Sequence, residues 1–156
     1  MSTIRVVRGV GRAETRMASY DAALAAANIH NYNLVSVSSV IPATATVEDV
    51  GDAPDLGPAG GRLTVVEARA TTGGVGTVAA GLGWATGPGP GLFYEVAGED
   101  PAAVRRSVEA GLETGRSLRD WTFEDETTAV VTADADGGGY TTAVAVAAYG
   151  AAEPIL

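Results

Sequence analysis

A chain of 156 residues suits one domain, able to bury about 70% of the surface its unfolded form would expose without covalent staples. It contains no cysteine and a single histidine, His30, which excludes a disulfide framework, a thiolate metal site and a histidine-rich cluster, so metal catalysis is not expected. The formal net charge is −9 and the ten basic residues are all arginine, a balance that disfavours nucleic acid and anionic membranes as partners.

Such a lysine-free acidic surface suits a protein kept soluble in concentrated salt, where the Debye length falls to about 3 Å at 1 M. Neither a leader-like N-terminal segment nor a run of about 18 apolar residues is present, so a cytoplasmic protein is expected. Along the chain, Thr3 to Arg8 alternates as a first strand and Gly9-Val10-Gly11 reads as the start of a loop. Ser19 is a candidate cap for a helix from Tyr20 to about Ala27, ended by Asn28. Asp21 then falls in the first helical turn, where a carboxylate complements the helix dipole.

Next comes Asn31 to Pro42, a β-rich run that holds two adjacent serines, Ser38 and Ser39. Alternation puts one of the two hydroxyls on the inward face, which costs about 1–3 kcal/mol unless the hydroxyl finds a partner. A local serine-to-backbone turn at a strand end is the simpler alternative. The segment from Ala43 to Gly61 reads as a long functional or contact-making connection. Arg62 to Arg69 alternates again, and Val75 to Trp84 gives a further strand with Gly76, Gly81 and Gly83 inviting close approach. No glycine-rich phosphate loop or dinucleotide fingerprint occurs.

After the strand Gly91 to Val96, Asp100-Pro101 opens the clearest helix, with Val104, Val108, Leu112 and Leu118 on its apolar side and a charged face opposite. Trp121 to Ala133 and Tyr140 to Tyr149 form two strands around the Asp134 to Gly139 turn, a solvated hairpin rather than a calcium loop. The expected fold is a layered α/β (α+β) sandwich of mainly antiparallel mixed sheets in a single domain.

The run Asn33-Leu34-x-x-Val37-Ser38-Ser39-Val40-Ile41-Pro42 resembles the self-cleavage segment of the pyruvoyl-dependent arginine decarboxylases. The likeness extends to Tyr20-Asp21-x-Ala23-Leu24, to Gly91-Leu92-Phe93-Tyr94-Glu95, and to Gly111-Leu112-Glu113-x-Gly115-Arg116 followed by Trp121. This resemblance implies a four-layer αββα sandwich and a homotrimer with active sites at the subunit interfaces. It further implies that Ser39 attacks the carbonyl of Ser38, leaving a β chain of residues 1–38 and an α chain of residues 39–156. A pyruvoyl group derived from Ser39 would head the α chain and form a Schiff base with the substrate amine, so that L-arginine yields agmatine and CO₂ for polyamine biosynthesis.

By the same resemblance Glu95 is the proton donor, on an apolar strand where burial against Phe93 and the opposite sheet would favour its neutral form. Asn33 would orient a carbonyl or hydroxyl beside the serine pair, while Ser38 and Asp21 contact substrate, Asp21 through the guanidinium group. Each has a plainer alternative: an outward charge for Glu95, a turn asparagine for Asn33, the helix start for Asp21. A second possible function is an uncut assembly or small-ligand-binding protein on the same scaffold. A pyruvoyl decarboxylase for another amino acid is also open.

Overall fold

The computed structural model describes residues 2–156. Its elements run β1 (Ser2–Ala13), α1 (Arg16–Ala26), β2 (Asn33–Ser36), β3 (Val40–Ile41), β4 (Ala45–Gly51), β5 (Arg62–Thr72) and β6 (Val75–Thr86). They continue with β7 (Gly91–Gly98), α2 (Pro101–Ser117), β8 (Asp125–Asp136) and β9 (Tyr140–Glu153). One sheet has five strands in the order β2-β5-β9-β1-β4 and the other four in the order β3-β7-β6-β8. The β1–β4 and β2–β5 pairs are parallel and the remaining pairs antiparallel.

Strand β9 shows why the layers stack as they do. Its odd positions Ala143, Ala145 and Ala147 enter the core between the sheets, beside Val66, Leu82, Phe93 and Val131. Its even positions Val144, Val146 and Ala148 meet the underside of α1 together with Leu24, Ile29 and Val65. A strand buried on both faces must be apolar at successive positions, as this one is. Helix α2 covers the other sheet through Val108 and Leu112, which pack with Ala85 and Leu92. The result is a four-layer αββα sandwich.

Glycine decides how closely each helix seats. Within β1, a Cβ at Gly11 would lie 2.2 Å from the Ala23 nitrogen and 2.4 Å from the Ser19 carbonyl oxygen, so α1 rests directly on the strand backbone. Within β6, a Cβ at Gly83 would lie 2.4 Å from Val108 Cγ1, so α2 sinks its side chains into the sheet. Gly9-Val10-Gly11 is therefore strand and not loop: the missing side chains serve packing, a need that looks the same in sequence as a turn.

Helix α1 also begins earlier than expected. Thr15 is the cap, its hydroxyl accepting from the Ala18 N–H at 3.1 Å, while Ser19 lies inside the helix and is fully buried. The Ser19 hydroxyl donates to the Arg16 carbonyl at 2.7 Å and also lies 2.7 Å from Thr142 Oγ1. Asp21 consequently stands in the second turn, beyond the free N–H groups of the helix start. Asn28 ends the helix region with φ of +60°, a left-handed conformation that asparagine tolerates well.

Three other expectations change. The connection from Ala43 to Gly61 contains β4, an edge strand running parallel to β1. Leu118 is the C-cap of α2 and is 75% exposed rather than on its apolar face. Strand β8 starts at Asp125, four residues after Trp121, which stacks instead with Phe123 beside α2. No helix among the described residues is long and apolar enough to cross a membrane.

Candidate active site

The serine pair lies between two strands of different sheets. The Val37 N–H donates to the Val65 carbonyl at 3.0 Å, the last backbone bond with the five-stranded sheet before the serines, and the Phe93 N–H donates to the Ser39 carbonyl at 2.8 Å, the first with the other. Between them the Val40 N–H donates back to the Ser38 carbonyl at 2.6 Å, closing a three-residue turn centred on Ser39. A continuous strand would have forced one hydroxyl inward; the crossover removes that requirement. Ser38 is exposed and Ser39 half-buried.

Ser39 Oγ donates to Glu95 Oε2 at 3.0 Å. Glu95 comes from β7, the neighbour of β3, but β3 pairs only with Leu92 and Gly91. Beyond Phe93 the edge of β7 is therefore uncovered by any strand among the described residues. A cavity of about 580 Å³ occupies this edge, lined by Ser38, Ser39, Val40, Leu92 to Glu95, the face of α2 from Ser107 to Gly115, and Leu118 and Arg119 just beyond its end. The open edge also corrects one expectation: Glu95 is exposed in the single chain rather than shut between Phe93 and the opposite sheet.

Arg119 is the cavity's other charged residue. Its guanidinium donates to the Gly115 carbonyl at 2.9 Å and lies 5.2 Å from the Trp121 ring centroid, which fixes the cation at the end of α2. Tyr94 lies across Gly111, where a Cβ would come within 2.3 Å of the ring.

Tyr149 reaches the crossover from the far sheet, its hydroxyl donating to the Val40 carbonyl at 2.9 Å. Burial, and secondarily the charge of Glu95, push its ionisation from 10.0 up to about 12. The sequence reading missed this residue, although a signal was present. After Ala143, Ala145 and Ala147, the same inward row ends in one large polar-tipped ring.

Asp21 and Asn33 lie elsewhere on the chain. They line a second depression with Met17, Tyr20, His30 and Tyr32, also about 580 Å³. The Asn33 amide donates to the Gly60 carbonyl at 2.8 Å, so within one chain it orients the 58–61 turn and not the serine pair. Beside it, Tyr20 donates to Glu67 Oε2 at 2.6 Å under a guanidinium from Arg69, 4.1 Å from the ring centroid. Burial and Glu67 raise the Tyr20 ionisation far above its ordinary value. The structure thus joins Ser38, Ser39 and Glu95 in one cavity and Asp21 with Asn33 in another.

Comparison with known proteins gives one consistent answer. The sequence profile described as "Pyruvoyl-dependent arginine decarboxylase (PvlArgDC)" matches residues 3–154. A protein of Halobacterium salinarum with the name pyruvoyl-dependent arginine decarboxylase is 54% identical over 158 aligned residues, covering 100% of this chain and 99% of its own. Proteins of the same name from Methanopyrus kandleri and Thermococcus sibiricus are 30% and 33% identical, over 92% and 74% of this chain and 93% and 75% of their own. With a match spanning nearly every residue and a 54% identical relative aligned end to end, the chain belongs to the pyruvoyl-dependent arginine decarboxylase family.

Proposed function

We propose that this protein decarboxylates L-arginine to agmatine and CO₂ in the cytoplasm, with a pyruvoyl group that it makes from its own Ser39, and so supplies polyamine biosynthesis. The observation that carries this reading is the hydroxyl of Ser39 bonded to a carboxylate in a tight turn at the rim of a cavity. Ser39 Oγ attacks the Ser38 carbonyl carbon while the C–N bond breaks, so the acyl group moves from nitrogen to oxygen. Negative charge that develops on the Ser38 oxygen is met by the Val40 N–H already bonded to it, a donor in place before the reaction. Elimination then releases the Ser38 carboxylate and leaves dehydroalanine at position 39. One water enters and one ammonia leaves to give the new terminal ketone.

The residues present fit such a group. The Phe93 N–H, bonded to the Ser39 carbonyl, would hold its amide side, beside a cavity lined mostly by carbon from β7 and α2. A pyruvoyl ketone there would supply the electron sink for decarboxylation that no ordinary side chain offers. Glu95, within hydrogen-bond reach of position 39, returns a proton to the substrate α-carbon. Ser38 remains at the cavity wall as the end of the first chain and contacts substrate.

Asp21 receives the guanidinium through two charge-assisted bonds, and Asn33 sits beside it to orient neighbouring groups. These two line a separate depression, and the homotrimer implied by the family resemblance would bring them to the serine cavity of another copy. Val35, Val37 and Val40 around the crossover are 41%, 40% and 40% exposed, an apolar rim suited to cover by another copy. The acidic lysine-free surface and the Halobacterium relative support a halophilic source.

Intact mass spectrometry together with arginine turnover tests this reading. Two chains meeting at Ser38 and Ser39, the second reactive toward a hydrazide, are expected to accompany agmatine formation. A single uncut chain that binds ligand without turnover would establish the non-catalytic alternative. Cut protein that ignores arginine would assign another amino acid.

A further inference from the structure

Three successive carbonyls around Ser39 are each held by a different donor. The Ser38 carbonyl accepts from the Val40 N–H at 2.6 Å, the Ser39 carbonyl from the Phe93 N–H at 2.8 Å, and the Val40 carbonyl from the Tyr149 hydroxyl at 2.9 Å. The first two donors are backbone groups within the same sheet system. The third is a side chain from β9 in the opposite sheet, where Tyr149 stands in register with Ile4 on one side and Thr64 on the other. Strand β3 is the edge of its sheet, with no strand beyond it among the described residues, and the Tyr149 hydroxyl meets a carbonyl on that open side.

The ring is itself anchored, its centroid 6.0 Å from that of Phe93 at an interplanar angle of 57°. It spans the sandwich from the rigid centre of one sheet to the free edge of the other. With ionisation pushed up to about 12 by burial and the Glu95 charge, the phenol remains a donor throughout the neutral range.

We propose that Tyr149 is a positioning residue for self-processing: by fixing Val40 it holds the turn in which the Ser39 hydroxyl meets the Ser38 carbonyl, and it then directs the resulting ester toward elimination. The proposal rests on Ser39 being the processed residue. The ester has two fates. In elimination the Cα proton of residue 39 goes to a base, the Cβ–Oγ bond of residue 39 breaks with the Ser38 carboxylate leaving, and a Cα=Cβ bond forms. In hydrolysis water adds to the Ser38 acyl carbon and the other ester bond, from that carbon to Oγ, breaks, leaving a free amine and an intact serine at position 39. Only the first leads to the ketone, and it alone requires the Cα–H and C–O bonds to be aligned. A segment pinned one residue away, at Val40, favours that alignment; a loose one favours water.

The test uses the full-length protein and two variants, Tyr149→Phe and Tyr149→Leu, followed from pulse-labelled synthesis to completion. Cleavage is read on denaturing gels, the new terminus by intact mass and hydrazide labelling, and folding by thermal melting. The phenylalanine variant keeps the ring against Phe93 and is expected to melt near wild type while cleaving about 3- to 10-fold more slowly, the range one neutral hydrogen bond supplies. Its second chain is also expected to carry a larger share of terminal serine in place of the ketone. Leucine removes the ring as well, and a processing defect no larger than that of phenylalanine assigns the effect to the hydroxyl. Wild-type cleavage and ketone yield in the phenylalanine variant, with a defect only for leucine, would reduce Tyr149 to packing and overturn the proposal. An uncut wild type would instead overturn the assignment of Ser39 itself.

Discussion

Replacing Glu95 by glutamine separates the two jobs that can be asked of its side chain. The amide has the same shape, and its oxygen can still accept from Ser39 Oγ across the present 3.0 Å. What it loses is the negative charge and the transferable proton. A charge-assisted bond is roughly twice as strong as its neutral counterpart, so self-cleavage should slow only modestly. Decarboxylation depends on a proton reaching the substrate α-carbon, and removing a positioned acid costs about 10²–10⁴-fold, or about 3–5 kcal/mol of barrier. Turnover must therefore be measured per titrated ketone and not per milligram. The same substitution also moves a spectroscopic marker: Tyr149 should ionise below its present value of about 12 yet stay above 10.0, because burial is the larger cause of its shift and the Glu95 charge the smaller. Wild-type turnover in the cleaved variant would refute the proton-donor role. An unchanged Tyr149 titration would refute the proximity on which the electrostatic account depends.

Ser39→Ala lacks the attacking oxygen and is expected to remain one full-length chain, visible by intact mass; any cut at the same bond would refute the nucleophile assignment. Asp21→Asn should lower arginine kcat/KM by about 10²-fold or more, the range for losing one partner of a desolvated charge pair, with little change in cleavage. Comparing arginine, lysine and ornithine at one fixed salt concentration checks this, and an unaltered preference assigns Asp21 to the helix alone. Gly11→Ala should cost about 3 kcal/mol or more, because its Cβ would lie 2.2 Å from the Ala23 nitrogen. At ~3 °C per kcal/mol for a chain of this size, Tm falls by about 10 °C, and an unshifted calorimetric Tm would contradict the close seating of α1.

The layers were legible in the sequence because their causes are local. Asp100-Pro101 announces α2, the alternation from Arg62 marks β5, and Gly137 and Gly139, both at positive φ, turn β8 into β9. The crossover was legible only in part: the serine pair pointed to a local turn, which the Val40 N–H to Ser38 carbonyl bond closes, but the residues on either side of it are of strand type. Whether consecutive strand residues bond to one sheet or two depends on partners far away, here Val65 and Phe93. Ser19 misled for a related reason: a hydroxyl near a helix start reads as a cap, but its partner Thr142 lies 123 residues further along. Within the site, Ser39 and Glu95 were named from family resemblance and meet in the structure, whereas Tyr149 acts from a strand that carries no motif.

Strand β1 lies in the interior of the five-stranded sheet, between β9 and β4, and pairs with β9 from Ile4 through Ala13. A cut after Ser38 would place this strand, with α1 and β2, on a separate polypeptide from the sheet that it completes. The precursor can refold by a first-order search within one chain. A cut molecule that opens releases a 38-residue fragment into solution, and its recovery becomes a second-order encounter at whatever dilution prevails. Its working lifetime is then governed by how rarely it opens, a rate, and no longer by the folding equilibrium that shaped the uncut chain.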